Sequence, residues 1–160
     1  MELHNTKIDI SKGKREKLIA ILNQSLADAA DLKSQAKQAH WNVKGSSFIA
    51  LHELFDQVAT EMDTHTDDIA ERITTLGGVA MGTVRLAAEN SSLSEYPHEI
   101  SDGTAHVDAL SSAMADFGKK IRKNIDVTDE IGDKDTADLY TGISRSVDKL
   151  LWFVEAHNQA

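Results

Sequence analysis

The chain has 160 residues with no cysteine, one proline and nine glycines. Without cysteine there are no disulfides and no thiolate-bound metal. The single proline, Pro97, leaves long stretches in which nothing interrupts a helix. Basic charge is in deficit: 17 Lys and Arg face 26 Asp and Glu, for a net charge of -9. That balance argues against a generally basic nucleic-acid surface and suits a protein that gathers cations. No apolar run is long enough to cross a membrane, and MELHNTKIDI lacks the apolar core of a signal peptide, so a cytoplasmic protein is expected. Aromatic residues make up only 5% of the chain, yet 41% is hydrophobic. That is enough to bury a core, and the expectation is one domain over residues 1–160.

What is present is helical periodicity. Leu18, Leu22, Ser25, Ala29, Leu32, Ala36 and Ala39 follow three-four spacing and predict a first helix from about Lys14 to His40. A second starts at a Ser46 or Ser47 cap and stops at Gly77-Gly78. The connection from there to about Ile100 is too long for an ordinary bundle loop, and Thr83–Asn90 can form a short extra helix within it. Third and fourth helices are predicted over Ser101–Ile125 and Asp135–His157. The fold class is therefore all-α: a four-helix bundle with a long crossover between helices two and three. Residues 1–10 are polar and lack periodicity, which predicts a mobile arm. Asp126–Asp138 is dense in carboxylates and reads as a polar loop leading into acids at a helix start.

The second helix carries two pairs with chemistry. His52 and Asp56 are four apart, as are Asp67 and Glu71, so each pair shares a face. Eleven positions separate Asp56 from Asp67, close to three whole turns and roughly 16 Å along the axis. Metal–ligand bonds of about 2 Å cannot bridge that distance. The pairs are two half-sites. A second copy of the helix, antiparallel across a twofold near Glu61 and Met62, sets His52 against the partner's Glu71 and Asp56 against the partner's Asp67, because both pairs of residue numbers have the same sum. His40 lies about as far before the Val43–Ser46 turn as His52 lies after it, and so joins the first half-site. The expected site is His40, His52 and Asp56 of one chain with Asp67 and Glu71 of the other. Charges at helical spacing commonly mark only a solvated face. The matched register and the apolar neighbours of His52 weigh toward metal, since carboxylates buried there need pairing. Two imidazoles and three carboxylates suit Fe(II), Mn(II) or Zn(II), and of these Fe(II) is redox-active and tolerates open positions.

QAHWNVKG, FIALHELFD, DDIAERITTLGG and the later LWFVEAH resemble the Dps family, ferritin-like DNA-binding proteins from starved cells, over about Ile19 to His157. The resemblance implies a ferritin-like bundle and a hollow homo-dodecamer of tetrahedral symmetry built from twofold dimers. It implies ferroxidase ligands shared between subunits at His40, His52, Asp56, Asp67 and Glu71, with Asp67 the weaker, outer ligand. The cofactor and cargo would be iron, oxidised by hydrogen peroxide in preference to oxygen and stored as ferric mineral, protecting DNA from oxidative damage. Trp41 would quench an oxidising equivalent beside the site. Asp135 and Asp138 would line the threefold pores through which iron enters, with Lys134 softening the field.

Lys7, Lys12, Lys14, Arg15 and Lys17 form a local basic cluster. It reads either as a solvated helix start or as a weak DNA tether, since each cation on a phosphate releases a counterion. Some Dps proteins condense DNA through a Lys-rich arm, and the second functional reading is a nucleoid-condensing DNA-binding protein whose metal site is secondary. Glu2, Asp9 and Glu16 interrupt this cluster. His106 is expected in the core, and His65, His98 and His157 on solvated faces.

Overall fold

The computed structural model describes residues 3–159. Five helices follow in order: α1 (Lys12–Asn42), α2 (Phe48–Thr75), α3 (Val84–Asn90), α4 (Gly103–Ile131) and α5 (Lys134–Glu155). Among the described residues there is no strand beyond one isolated bridge between Lys44 and Asp102. α1 packs chiefly on α2 and α4 on α5, and the two hairpins join through α1 against α4 and α2 against α5. The long helices thus form the expected bundle, and the crossover carries the expected short helix, α3.

The apolar stripes face inward, and Leu18, Leu22, Leu32, Phe55, Met62 and Phe117 are almost wholly buried. Each such side chain contributes about 1.5–3 kcal/mol by leaving water. The hairpin turn between α1 and α2 is tight because Gly45 takes φ +112°, a region that disfavours any residue with a Cβ. Lys44 N–H donates to Ser101 O at 2.7 Å, tying this turn to the start of α4.

Polar staples fix the crossover. Asp28, 2% exposed on α1, accepts from the Ser92 backbone N–H at 2.7 Å and from the Ser92 hydroxyl at 2.9 Å. Gln35 donates to Ser94 O at 3.0 Å. Buried groups of this kind must be paired, which makes them specific anchors.

Three expectations change. α4 runs to Ile131, six residues beyond the predicted end, so the acidic loop over 126–138 shrinks to Gly132 and Asp133. Thr128 is fully buried and Ile125 and Ile131 pack on the core, so the inner stripe continues while Asp126, Asp129 and Glu130 point outward. Gly132 then ends the helix in the left-handed conformation. Second, residues 3–10 of the arm have no helix but lie docked on the bundle, with residues 1 and 2 outside the described residues. His4 N–H donates to Gly77 O at 2.8 Å, and Leu3 and Ile10 pack against the core. Third, Arg15 leaves the basic cluster. It is 9% exposed and its guanidinium donates to Leu76 O at 2.8 Å and Ile10 O at 3.2 Å. Those carbonyls hold it against the end of α2.

Candidate metal centre

His40 sits in the last turn of α1 and His52 in the second turn of α2. The hairpin brings their rings together, with centroids 3.7 Å apart and planes 22° apart. Each Nδ1–H donates to the backbone carbonyl of the other residue: His40 Nδ1 to His52 O at 2.7 Å, and His52 Nδ1 to His40 O at 2.8 Å. A carbonyl can only accept, so both Nδ1 atoms carry the proton. In the neutral rings both Nε2 atoms are then the lone-pair nitrogens, the form in which imidazole binds a metal. His40 O also belongs to the helix C-terminus, where carbonyls lack intrahelical donors.

Asp56 lies one turn beyond His52. Its Oδ1 accepts from Lys37 Nζ at 2.6 Å, and the described residues offer nothing to Oδ2. The Lys37 hydrogen bond, opposed in part by burial and aided by the Lys37 charge, holds the carboxyl below the usual range. Asp56 is therefore a carboxylate at neutral pH. Lys37 Nζ also lies 5.6 Å from the centre of the Trp41 ring. Leu51, Leu54 and Phe55 are buried beneath His52, as expected, but Phe48 and Ile49 point outward at 38% and 60% exposure, with Trp41 at 66%. The half-site thus opens within an exposed apolar rim.

Asp67 and Glu71 stand exposed on the same continuous helix, and among the described residues their carboxylates accept no hydrogen bond and form no ion pair. Within the single chain, no group of three or more His, Cys, Asp or Glu among the described residues could hold a metal ion. The two halves lie apart, as the spacing requires.

The chain matches the ferritin-like domain family over residues 19–160. It is 46% identical to the DNA protection during starvation protein of Agrobacterium fabrum, over 99% of this chain and 98% of that one. This chain belongs to the Dps family. Among solved structures, Dps of Mycobacterium smegmatis superposes with a TM-score of 0.94 at 29% identity, covering 99% of this chain and 96% of that one. Dps of Microbacterium arborescens in its high iron form superposes at 0.85 with 33% identity, covering 92% and 95%. The ferritin-like bundle is thereby the fold of this Dps protein.

Asp135 and Asp138 are exposed in the first turns of α5, and the neighbouring Lys134 pairs with Asp129. Lys7, Lys12, Lys14 and Lys17 are exposed, Lys12 within 4.0 Å of Glu16. His98 pairs with Glu95 at 3.0 Å and His157 Nδ1 bonds to Phe153 O, both at the surface. His65 is a correction: it is 7% exposed, packed in the bundle rather than solvated, and burial lowers its proton affinity.

A second polar constellation on α2 escapes sequence reasoning. Arg72 grips both Asp133 oxygens at 2.8 Å and bonds to Thr136 Oγ1 at 2.9 Å. Asp133 also caps α5 through the Thr136 N–H at 3.2 Å. Burial alone would push the Asp133 carboxyl up, but the Thr136 and Arg72 hydrogen bonds outweigh it and hold the group below its ordinary value. A cap residue after Gly132 was the available signal for Asp133. Nothing in the sequence names Arg72 as its partner.

Proposed function

We propose that this Dps protein is an iron-storage and iron-detoxifying ferroxidase with Fe(II) as substrate and iron as cargo. The observation that carries the reading is the reciprocal histidine clamp. It leaves two Nε2 lone pairs beside an ionised Asp56, while Asp67 and Glu71 stand unpaired at the register an antiparallel second helix would match. In a twofold dimer, His40, His52 and Asp56 of one chain and Asp67 and Glu71 of the other hold Fe(II) at two equivalent sites. The exposed rim of Trp41, Phe48 and Ile49 supports a partner surface over the half-site. Such dimers assemble into a dodecameric shell, as the family resemblance implies.

The chemistry asks little of the protein beyond position and charge. Two Fe(II) give two electrons to hydrogen peroxide, which takes two protons and leaves as two waters. Oxygen is the alternative oxidant. Asp56 and Glu71 bind and bridge, the imidazoles hold without adding negative charge, and Asp67 acts as an outer ligand through water. Fe(III) acidifies its bound water more strongly than Fe(II), so the product loses protons, hydrolyses and is stored as mineral. Asp135 and Asp138 draw Fe(II) inward electrostatically at the shell's pores. Trp41 beside the site serves as an accessory quencher. DNA is protected in the cytoplasm by removal of the reagents for hydroxyl-radical formation, in keeping with the name carried by the Agrobacterium relative.

Direct DNA condensation is the second reading. The exposed lysines at positions 7, 12, 14 and 17 favour it, and the internal Arg15 and docked arm weigh against it. Deleting residues 1–17 separates the two: DNA retardation with a steep salt dependence would vanish while iron oxidation persisted. The first reading is tested by anaerobic Fe(II) titration, then a hydrogen peroxide pulse followed by ferric absorbance. Stoichiometric uptake with prompt ferric signal is expected. Failure to bind Fe(II) in stoichiometric amounts would overturn it.

A further inference from the structure

Tyr96 and His106 form a buried pair that the iron chemistry above leaves unused. The phenol oxygen lies 2.8 Å from His106 Nδ1, and the residues are 6% and 1% exposed. Backbone carbonyls also face the ring and can only accept, so the phenol donates to Nδ1 and the ring proton sits on Nε2. That atom makes no hydrogen bond of normal geometry among the described residues, but the carbonyls of Ile100 and Asn42 and the charge of Asp102 face the ring and favour its cationic form. Burial outweighs them at rest and lowers the proton affinity, so the ring stays neutral with an open lone pair toward the phenol. Burial likewise pushes the Tyr96 phenol far up, so its proton is in place.

The pair stands close to the metal half-site. The Phe55 ring centre is 6.4 Å from that of His106, and Phe55 immediately precedes Asp56. Asn42, whose carbonyl faces His106, is two residues beyond His40. Two other oxidisable rings are less suited. The only other tyrosine, Tyr140, shares its hydroxyl with Ser25 Oγ at 2.9 Å, a group that cannot serve as a base. Trp41 serves only as an accessory, because the Lys37 ammonium 5.6 Å from its ring centre opposes a radical cation there.

We propose that Tyr96 and His106 act together as a proton-coupled electron relay that absorbs the odd oxidising equivalent at the iron site. The relay rests on the iron-oxidation reading. When hydrogen peroxide meets a site holding one Fe(II), one electron cleaves the O–O bond, giving Fe(III), hydroxide and a hydroxyl radical. The radical takes one electron from Tyr96 by way of the Phe55 contact and becomes hydroxide. The phenol O–H bond breaks, its proton passes to His106 Nδ1, and a neutral tyrosyl radical faces an imidazolium. A second Fe(II) returns the electron, the proton moves back, and a second Fe(III) forms. Two Fe(II) are oxidised per peroxide, two hydroxides result, and no radical leaves the protein.

The test is rapid-freeze electron paramagnetic resonance on the assembled protein, loaded anaerobically with less than one Fe(II) per site and pulsed with hydrogen peroxide. Ferric absorbance is read on the same samples. A tyrosyl signal is expected in the unmutated protein and in Tyr140→Phe, with loss of that signal in Tyr96→Phe. His106→Gln keeps a hydrogen-bond acceptor but no base, and its tyrosyl yield should fall while helicity and oligomer size are unchanged. The unmutated protein should also form the radical more slowly in deuterium oxide, a check independent of how any variant folds. A second arm oxidises iron-free protein with photogenerated ruthenium(III) and should give the same pattern. A tyrosyl signal that survives Tyr96→Phe, or ferric formation without any tyrosyl signal, would overturn the relay and leave the ferroxidase intact. Absence of ferric absorbance would overturn the ferroxidase reading, and the relay with it.

Discussion

Glu71 and Arg72 are neighbours in the chain and belong to opposite kinds of site. Arg72 turns into the seam between α2 and α5, where Asp133 and Thr136 satisfy it. Among the described residues the Glu71 carboxylate finds no partner. The same contrast separates the seam from the histidine clamp at the other end of α2. In the seam the strong donors and acceptors answer one another within the chain. At the clamp the hydrogen bonds consume both Nδ1 atoms and leave both Nε2 atoms open. A saturated cluster stabilises the fold, and a cluster held rigid with spare lone pairs is ready for something from outside.

That contrast breaks if the two ends respond alike to mutation. The largest effect is expected at the open sites. His52→Ala or Glu71→Ala should each slow Fe(II) oxidation by at least about a hundredfold, since loss of even an outer-sphere partner of a ligand costs about 10–100-fold. Both should leave the thermal midpoint nearly unchanged, read by calorimetry beside stopped-flow ferric absorbance. At the seam the pattern reverses. Asp133→Ala leaves a largely buried guanidinium without its carboxylate and should cost up to about 3 kcal/mol of stability, with iron oxidation normal wherever the protein stays folded. The same carboxylate sharpens the comparison through pH. Its folded-state affinity for protons is depressed, so its contribution is present above the unfolded value of about 3.9 and is lost as pH falls below that through the folded value. Acid titration of stability should show this limb in the unmutated protein and lack it in Asp133→Asn. The smallest effect belongs to Arg15→Ala, which removes charged hydrogen bonds to Leu76 O and Ile10 O for about 1.5–3 kcal/mol. It should appear as faster hydrogen exchange and proteolysis over residues 3–10.

Where the chain's own periodicity decides, the sequence is a good guide. The helices α1, α2, α3 and α5 fall within a few residues of expectation because apolar stripes and Gly or Ser boundaries define them. The end of α4 was misread because its outer carboxylates, Asp126, Asp129 and Glu130, mask an inner stripe that continues through Thr128 to Ile131. Arg15 was misread although it lies three residues before Leu18 and seven before Leu22, on the buried stripe itself. Charge type suggested solvent, and position would have corrected it. The separation of the two candidate half-sites was legible from the pitch of α2. The reciprocal clamp, the Lys37 partner of Asp56 and the burial of His65 depend on distances between elements, which no local pattern carries.

The central claim is that one iron site is built from two chains. It is tested most directly by mixing His52→Ala chains with Glu71→Ala chains after dissociation and reassembly, then repeating the Fe(II) and peroxide assay. Each mixed dimer has one site with both lesions and one with neither, so a random equal mixture should recover about a quarter of the unmutated activity from two nearly inactive parents. Recovery at that level is the result the shared site predicts. A mixture that, with reassembly verified, is no more active than its parents would contradict it.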